Sequence, residues 1–424
     1  LFVAIIGENF DGHDFAQAAL DRGAVAVLVS RPTTDADFRV ADTIKAYGQI
    51  AAHYRQSLNA KVIGITGSSG KTSTKDLLYS VLDQFGNTLA PLGSYNNEIG
   101  LPATILSATS ETEFLILEMG MRGLGHIDYL CSIAKPDIAA LINVGTAHIE
   151  LLGSRENIAS AKGEIFQQLS QDGVAVFFAD DPLVSAQRLR TSVQAISFGE
   201  TELAMLRVSD VQLDELARAS FRATYGNVSH SVSLTISGEH QVFNAAAVIA
   251  ICLAVGLDFA EICAALNKAT PRSKWRMEIS ELPNGVTLIN DSYNANPESM
   301  RAGLKALKAI AASRRCFAVL GEMRELGEQS AMAHDEIGRL CVRLDINRLI
   351  AVGPGAKLIH MGAAQEGSWA DESIYVDTQE EALQILRNEL TAGDVVFVKA
   401  SRAVGLDRVA QALLDEAHRE NKTL

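Results

Sequence analysis

Cysteine is scarce in this 424-residue chain and never grouped. Its five residues, Cys131, Cys252, Cys263, Cys316 and Cys341, are odd in number, dispersed and without a Cys-x-x-Cys pair, which argues against a disulfide framework and against a cysteine-based zinc site. Long apolar runs are missing too. The longest uncharged apolar stretch, residues 245–257, interrupted by Gly256, is well short of the roughly 20 residues that span a bilayer and reads as a buried helix. Positive charge is in deficit: 37 Lys and Arg against 51 Asp and Glu give a net charge of −14, which argues against sequence-independent attraction to nucleic acid or anionic membrane. An anionic substrate must then be held by local cations, a metal or backbone amides. No 20–50-residue repeat and no low-complexity tract interrupts the chain. It opens at Leu1 without a signal-like segment, and the cytoplasm is the expected location.

What is present is an α/β pattern long enough for about three domains. Residues 1–6 and 24–29 read as strands around a helix over 14–22, a small first unit taken as 1–60. A short apolar strand then runs into Gly and Ser punctuation and a helix over 71–85, opening a second unit over 61–270. Strands at 114–117, 138–143 and 173–178 alternate with helical patterns, as a mostly parallel sheet requires. Residues 205–236 switch to shorter alternating segments, an antiparallel ribbon, and a helix over 245–255 closes the unit. After Pro271 a third alternation over 271–424 places strands near 287–290, 317–320, 349–352 and 395–398.

Gly67-Ser68-Ser69-Gly70-Lys71-Thr72 stands between a strand and a helix, where exposed amides and a helix N-terminus face phosphate oxygens. The strict Gly-x-x-x-x-Gly-Lys-[Ser/Thr] consensus is not met, because Ile65 occupies its first glycine position. The mechanical parts are all there, however. A helix terminus contributes only about 0.3–1 kcal/mol, so Lys71 and a cation must supply the rest, with the Thr72 hydroxyl as a Mg²⁺ ligand. The plain alternative is an ordinary Gly-Ser turn opening a helix. Glu118 and His148 follow two strands of the same sheet, at the C-terminal ends where ligands of open α/β sheets collect. The two residues can share a metal site with the loop. Taken singly they are a helix-start carboxylate and a structural histidine, and Mg²⁺ prefers oxygen donors. Lys162 would by default be a solvated helix lysine, and Asn96 and Asn97 would be turn-capping residues. In the third unit, Asn290-Asp-Ser-Tyr-Asn-Ala-Asn-Pro297 follows a strand with short polar groups. Arg276, Lys399, Ser401 and Arg402 add polar groups at strand ends, three of them cationic.

In order, Ile63-Gly-Ile-Thr-Gly-Ser-Ser-Gly-Lys-Thr, Tyr95-Asn-Asn-Glu-Ile-Gly-Leu-Pro102, Leu117-Glu-Met-Gly120, Asn143-Val-Gly-Thr-Ala-His148, Lys162-Gly-Glu164 and Gly238-Glu-His-Gln-Val-Phe-Asn244 resemble the motifs of the Mur ligases. With Asn290-Asp-Ser-Tyr-Asn-Ala-Asn-Pro297 and Leu320-Gly-Glu-Met-Arg-Glu-Leu-Gly327, the chain looks like the MurF branch over nearly its whole length. The resemblance implies a three-domain α/β architecture: an N-terminal UDP-sugar-peptide-binding domain, a central P-loop ATPase domain and a C-terminal Rossmann-like domain. It also implies an ATP-dependent amide ligase that activates the carboxylate of UDP-N-acetylmuramoyl-tripeptide as an acyl phosphate and joins it to D-alanyl-D-alanine in peptidoglycan precursor synthesis. A monomer without nucleic-acid partner or membrane insertion is expected.

Position by position, the resemblance gives Gly67, Ser68, Ser69, Gly70, Lys71 and Thr72 to the ATP phosphates. It gives Thr72 and Glu118 to Mg²⁺, and His148 to the neighbourhood of a second Mg²⁺. Lys162 matches the family lysine that is carbamylated into a metal ligand. Asn244 matches the adenine-side asparagine, Arg276 an arginine reaching the phosphates from the C-terminal domain, Asp291 the ribose-side aspartate, and Asn97 an asparagine near the γ-phosphate and acceptor carboxylate. Lys399, Ser401 and Arg402 border the peptide or dipeptide site. Two departures stand out. The family's Asp-Ser-Arg uridine-binding segment would precede Leu1, so the first unit is expected to be short at its start, and Ala400 replaces the glycine of Lys-Gly-Ser-Arg. Two alternatives compete: a folylpolyglutamate synthase-like ligase, whose usual Asp-Gly-Ala-His-Asn-Pro pattern residues 290–297 lack, and a catalytically silent nucleotide-binding partner.

Overall fold

Three sheets organise the chain, whose computed structural model describes residues 1–7, 9–367 and 372–423. The first is small and parallel, Phe2–Val3, Val27–Val29 and Asp37–Arg39, and it closes over Ala4, Ala16, Val27 and Val29. The long helix read over 14–22 is two pieces, a 3-10 turn Gly12–Phe15 and a short helix Ala16–Asp21. The Asp11 side chain caps the 3-10 turn by accepting the His13 amide. The same Asp11 oxygen lies 2.6 Å from the buried His13 Nδ1, whose Nε2 accepts the Ser30 amide.

The second sheet has nine strands, in the order Val228–Ser237, Arg218–Tyr225, Leu206–Leu213, Gln194–Gly199, Val174–Phe178, Ile138–Leu141, Lys61–Thr66, Phe114–Glu118, Thr88–Leu89. Seven strands are parallel, and the ribbon foreseen over 205–236 supplies the antiparallel remainder. That ribbon is no separate appendage. Leu206 pairs with Phe198, so the ribbon extends the parallel sheet. Strand Lys61–Thr66 lies between Phe114–Glu118 and Ile138–Leu141, so the strand order reverses beside it, the position at which a doubly wound sheet leaves a crevice for ligand. Its Ile63 and Ile65 face the core shared with helices Lys71–Leu82 and Gln241–Val255, while Val62 faces the opposite layer. Ala245, Ala246 and Ala247 are small enough for the latter helix to lie buried against both sheet and helix.

The third sheet runs Glu278–Glu281, Thr287–Asn290, Val395–Lys399, Cys316–Leu320, Arg348–Val352, Ser373–Val376. Only the first pair is antiparallel. Helix Pro297–Ala311 starts from a capping box in which Asn296 and Ser299 satisfy each other's backbone amides. The structure is thus α/β in all three parts. Among the described residues no helix is long and apolar enough to cross a membrane, and all five cysteines are free and buried.

Candidate active site

A cleft of about 1130 Å³ lies where the strand ends of the second and third sheets face each other. Its floor is the loop after strand Lys61–Thr66. Gly70 has φ +74°, and a Cβ there would come within 2.4 Å of Asn244 Oδ1; a Cβ on Gly67 would come within 2.5 Å of Ile142. Both glycines are therefore required by close approach, and Gly70 by backbone sign as well. Asn143 shapes the rest. Its Oδ1 accepts the amides of Ser68 (2.9 Å) and Ser69 (3.0 Å), and its Nδ2 donates to the Ser69 carbonyl (3.0 Å). The amides of Ser68 and Ser69 are thereby committed to the loop itself, which leaves the first turn of helix Lys71–Leu82 as the amide surface for an anion.

Two lysines meet at one oxygen. Lys71 Nζ donates to the Gly67 carbonyl at 2.7 Å and Lys162 Nζ to the same atom at 3.0 Å. Desolvation pushes the Lys71 amine below its ordinary value, opposed by the Glu118 charge. Desolvation and then the charge of Lys71 push Lys162 far below it. Lys162 is 1% exposed, and among the described residues no carboxylate pairs with it. A buried amine beside a second amine, without a counter-charge, is an uncommon arrangement.

Thr72 is the hub of the cleft. Its hydroxyl donates to Glu118 Oε2 (2.8 Å), accepts from Arg276 Nη2 (2.9 Å) and lies 3.1 Å from Ser94 Oγ. Glu118 is the last residue of its strand and is 1% exposed. Its other oxygen accepts from Asn96, not from Asn97. Asn97 instead turns its oxygen onto the amides of Ile99 and Gly100, in the capping geometry its residue type suggested, while still lining the cleft. Arg276 reaches across from the segment before the third sheet and stacks on Tyr293. Asn244 lies under Gly70 and donates to Gln241. Asp291 is gripped by Lys399 at 2.6 Å and accepts the Met277 amide. Ser401 accepts the Arg324 amide, and Arg402 stacks over Trp275. Ala400 fits because Gly321 faces it: a Cβ on Gly321 would come within 2.7 Å of the Ala400 Cβ.

The structure joins Thr72, Glu118 and Arg276 in one contact network and sets Lys71 and Lys162 together on the Gly67 carbonyl beside it. It does not place His148 in that network. The His148 Nδ1 lies 2.8 Å from Glu325 of the third unit, and Glu325 is held below the usual carboxylate range, first by His148 and against burial. Sequence reasoning missed Asn143 as a loop-former, Asn96 as the partner of Glu118, and Glu298, whose Oε1 accepts both the amide and the hydroxyl of Thr146. The donor chemistry suits a magnesium nucleotide. Thr72 and Glu118 offer hard oxygen ligands side by side, and two buried donors in this region, Ser68 Oγ and Arg276 Nε, have no partner among the described residues.

Family models match the chain over most of its length: the Mur ligase family catalytic domain over residues 1–65, the Mur ligase middle domain over 65–252, and the Mur ligase glutamate ligase domain over 275–402. The chain belongs to the Mur ligase family. Within it the similarity is to the MurF branch. A UDP-N-acetylmuramoyl-tripeptide--D-alanyl-D-alanine ligase of Mycobacterium tuberculosis is 43% identical over 98% of this chain and 89% of that protein. A MurF crystal structure from Acinetobacter baumannii superimposes with a TM-score of 0.87 at 33% identity, over 98% of this chain and 90% of the other. The MurF ligase of Thermotoga maritima in complex with ADP gives 0.84 at 32%, over 99% and 95%. These likenesses carry the three-domain Mur ligase architecture to this chain.

Proposed function

We propose that this Mur ligase joins D-alanyl-D-alanine to UDP-N-acetylmuramoyl-tripeptide, hydrolysing ATP to ADP, in peptidoglycan precursor synthesis. The observation that carries the reading is the Thr72–Glu118–Arg276 network, with Lys71 on the adjoining loop carbonyl, at the switch point of a Mur ligase fold. A carboxylate is a poor electrophile. Transfer of the γ-phosphoryl group to the tripeptide's terminal carboxylate supplies a leaving group, and the amine of the dipeptide then attacks that carbon and expels phosphate. The chain's own part is to orient and to neutralise. Lys71 and the amides opening helix Lys71–Leu82 hold the phosphates, Arg276 adds charge from the third unit, and Asn97 stands at the acceptor carboxylate. Asn244 takes the adenine side, Asp291 the ribose side, and Lys399, Ser401 and Arg402 the peptide.

Thr72 and Glu118 would hold one Mg²⁺ and His148 would stand near a second, and the metal would supply charge neutralisation on the transferring phosphoryl group. For Lys162 the burial itself supports carbamylation. A neutral amine adds CO₂ and releases a proton, and the product is an anion beside the Lys71 cation where two amines now crowd one carbonyl. We assign residues 1–60 to the UDP-sugar peptide, 61–270 to ATP and 271–424 to closure over both. Every group invoked comes from one chain, so a monomer suffices, and the nucleotide-linked substrates point to the cytoplasm. A silent nucleotide-binding role has less in its favour, since Lys71, Glu118 and Lys162 are all present. The test is coupled ADP release with UDP-N-acetylmuramoyl-tripeptide. Turnover that needs both peptide and D-alanyl-D-alanine supports the assignment, and turnover indifferent to either refutes it.

A further inference from the structure

The loop 145–150 of the second unit is clasped from the third unit on two sides. On one side, Glu298, in the first turn of helix Pro297–Ala311, receives the Thr146 amide and hydroxyl on a single oxygen, both at 2.9 Å. A Cβ on Gly145 would come within 2.8 Å of that oxygen, so any larger residue there would have to displace the carboxylate. On the other side, Glu325 lies 2.8 Å from the His148 ring. Gly327, at φ +52°, sits so close to Glu150 that a Cβ would come within 2.9 Å of its side chain. His148 and Glu325 both hold positive φ, +67° and +65°, a conformation that non-glycine residues keep only where surroundings impose it. The two meet each other across the boundary between the units.

We infer that Glu298 and Glu325 are positioning residues that set the His148 loop only when the third unit is docked, so that completion of the cleft is tied to closure. The inference rests on the ligase reading for its kinetic arm and on geometry alone for its structural arm. Helix Lys71–Leu82, Asn143 and Asn244 shape the nucleotide floor without either carboxylate. Loss of the clasp therefore leaves the second unit's part of the nucleotide site in place, loosens the third-unit groups Arg276 and Asp291, and removes the productive arrangement.

The experiment uses the full chain with ADP and Mg²⁺ for small-angle scattering and with all substrates for ADP release. The double variant E298A/E325A is expected to scatter with a larger radius of gyration than the unsubstituted chain. Its kcat is expected to fall about tenfold or more, a larger factor than the rise in the KM for ATP that loosened Arg276 and Asp291 contacts bring. E298Q is expected to recover most of the loss, because its amide oxygen still accepts from Thr146. Unchanged scattering, an unchanged kcat, or an E298Q variant as impaired as E298A overturns the inference. If the double variant does not fold, T146V and E325Q carry the same readouts. An unsubstituted chain that turns over no substrate sinks the ligase reading, while the scattering comparison still decides the clasp.

Discussion

Asn143 gives the most demanding test of how the nucleotide floor is made. Substitution by alanine removes two hydrogen bonds accepted from the Ser68 and Ser69 amides and one donated to the Ser69 carbonyl. At about 0.5–1.5 kcal/mol net for each, the loop loses roughly 1.5–4.5 kcal/mol of local order. Because the loop lines the open cleft, water replaces part of this in the free protein, and nucleotide binding must then supply the ordering. If most of the loss falls on binding, the affinity for ADP drops roughly tenfold to several hundredfold, at 1.4 kcal/mol per factor of ten. Asn143→Asp separates loop shape from charge. Its carboxylate still accepts both amides but loses the donation to the Ser69 carbonyl, so the thermal midpoint falls less than in Asn143→Ala, while a negative charge now sits beside the phosphate site. That repulsion is on the order of 4 kcal/mol for charges about 4 Å apart at an effective dielectric near 20. Calorimetric titration of ADP with Mg²⁺, paired with thermal melting, reads both quantities. An Asn143→Ala protein that binds ADP within about twofold of the unsubstituted chain would refute the claim that this side chain builds the cradle.

Three other outcomes follow from the same geometry. Gly70→Ala must hold a side chain at φ +74° against Asn244 Oδ1; a strain of about 1–2 kcal/mol or more is expected, seen as a lower melting temperature and a raised KM for ATP, and neither change would appear if the contact were slack. Lys162→Ala is expected to abolish ligation while leaving the fold intact by circular dichroism. Intact-mass analysis of the unsubstituted chain under bicarbonate should show one added CO₂ that the variant lacks, and near-normal turnover by the variant would contradict the role assigned to the lysine. Ala400→Gly removes a methyl packed against Gly321. A loss of about 1 kcal/mol in stability, with steady-state constants little changed, is expected by denaturant titration, whereas a large change in the peptide KM would mean that the loop's tightness sets substrate binding.

The phosphate loop was legible because everything it needs is local: an apolar strand, two glycines, a lysine and a helix within a dozen residues. The ribbon over 205–236 was likewise visible as alternation, and helix Gln241–Val255 as an apolar run, although it does not close the unit: helix Phe259–Leu266 follows and packs against it. Short edge strands such as Asp37–Arg39, Thr88–Leu89 and Ser373–Val376 left too few residues for any period to declare itself. Strand Gln194–Gly199 was missed although it carries the join between parallel sheet and ribbon. Within the site, residues were found where type and strand end coincide, as with Glu118 and Lys71. Pairings were not found, because they are set by how two sheets face each other. Thr146 meets Glu298 across 152 positions, and Asn143 meets Ser68 across 75. The Asn96 and Asn97 pair shows the limit sharply: adjacent identical residues divide the work, one holding Glu118 and the other capping a helix.

The floor of the cleft is also distributed in time. Thr74, just past Lys71 and Thr72, emerges from the ribosome 170 positions ahead of Asn244, the residue that packs beneath Gly70. At about 5–20 residues per second the nascent loop waits roughly 10–30 s for its support. Throughout that interval the early strands of the nine-stranded sheet lack helix Gln241–Val255, which covers one of their faces in the folded chain, so that apolar face stays open to water during synthesis.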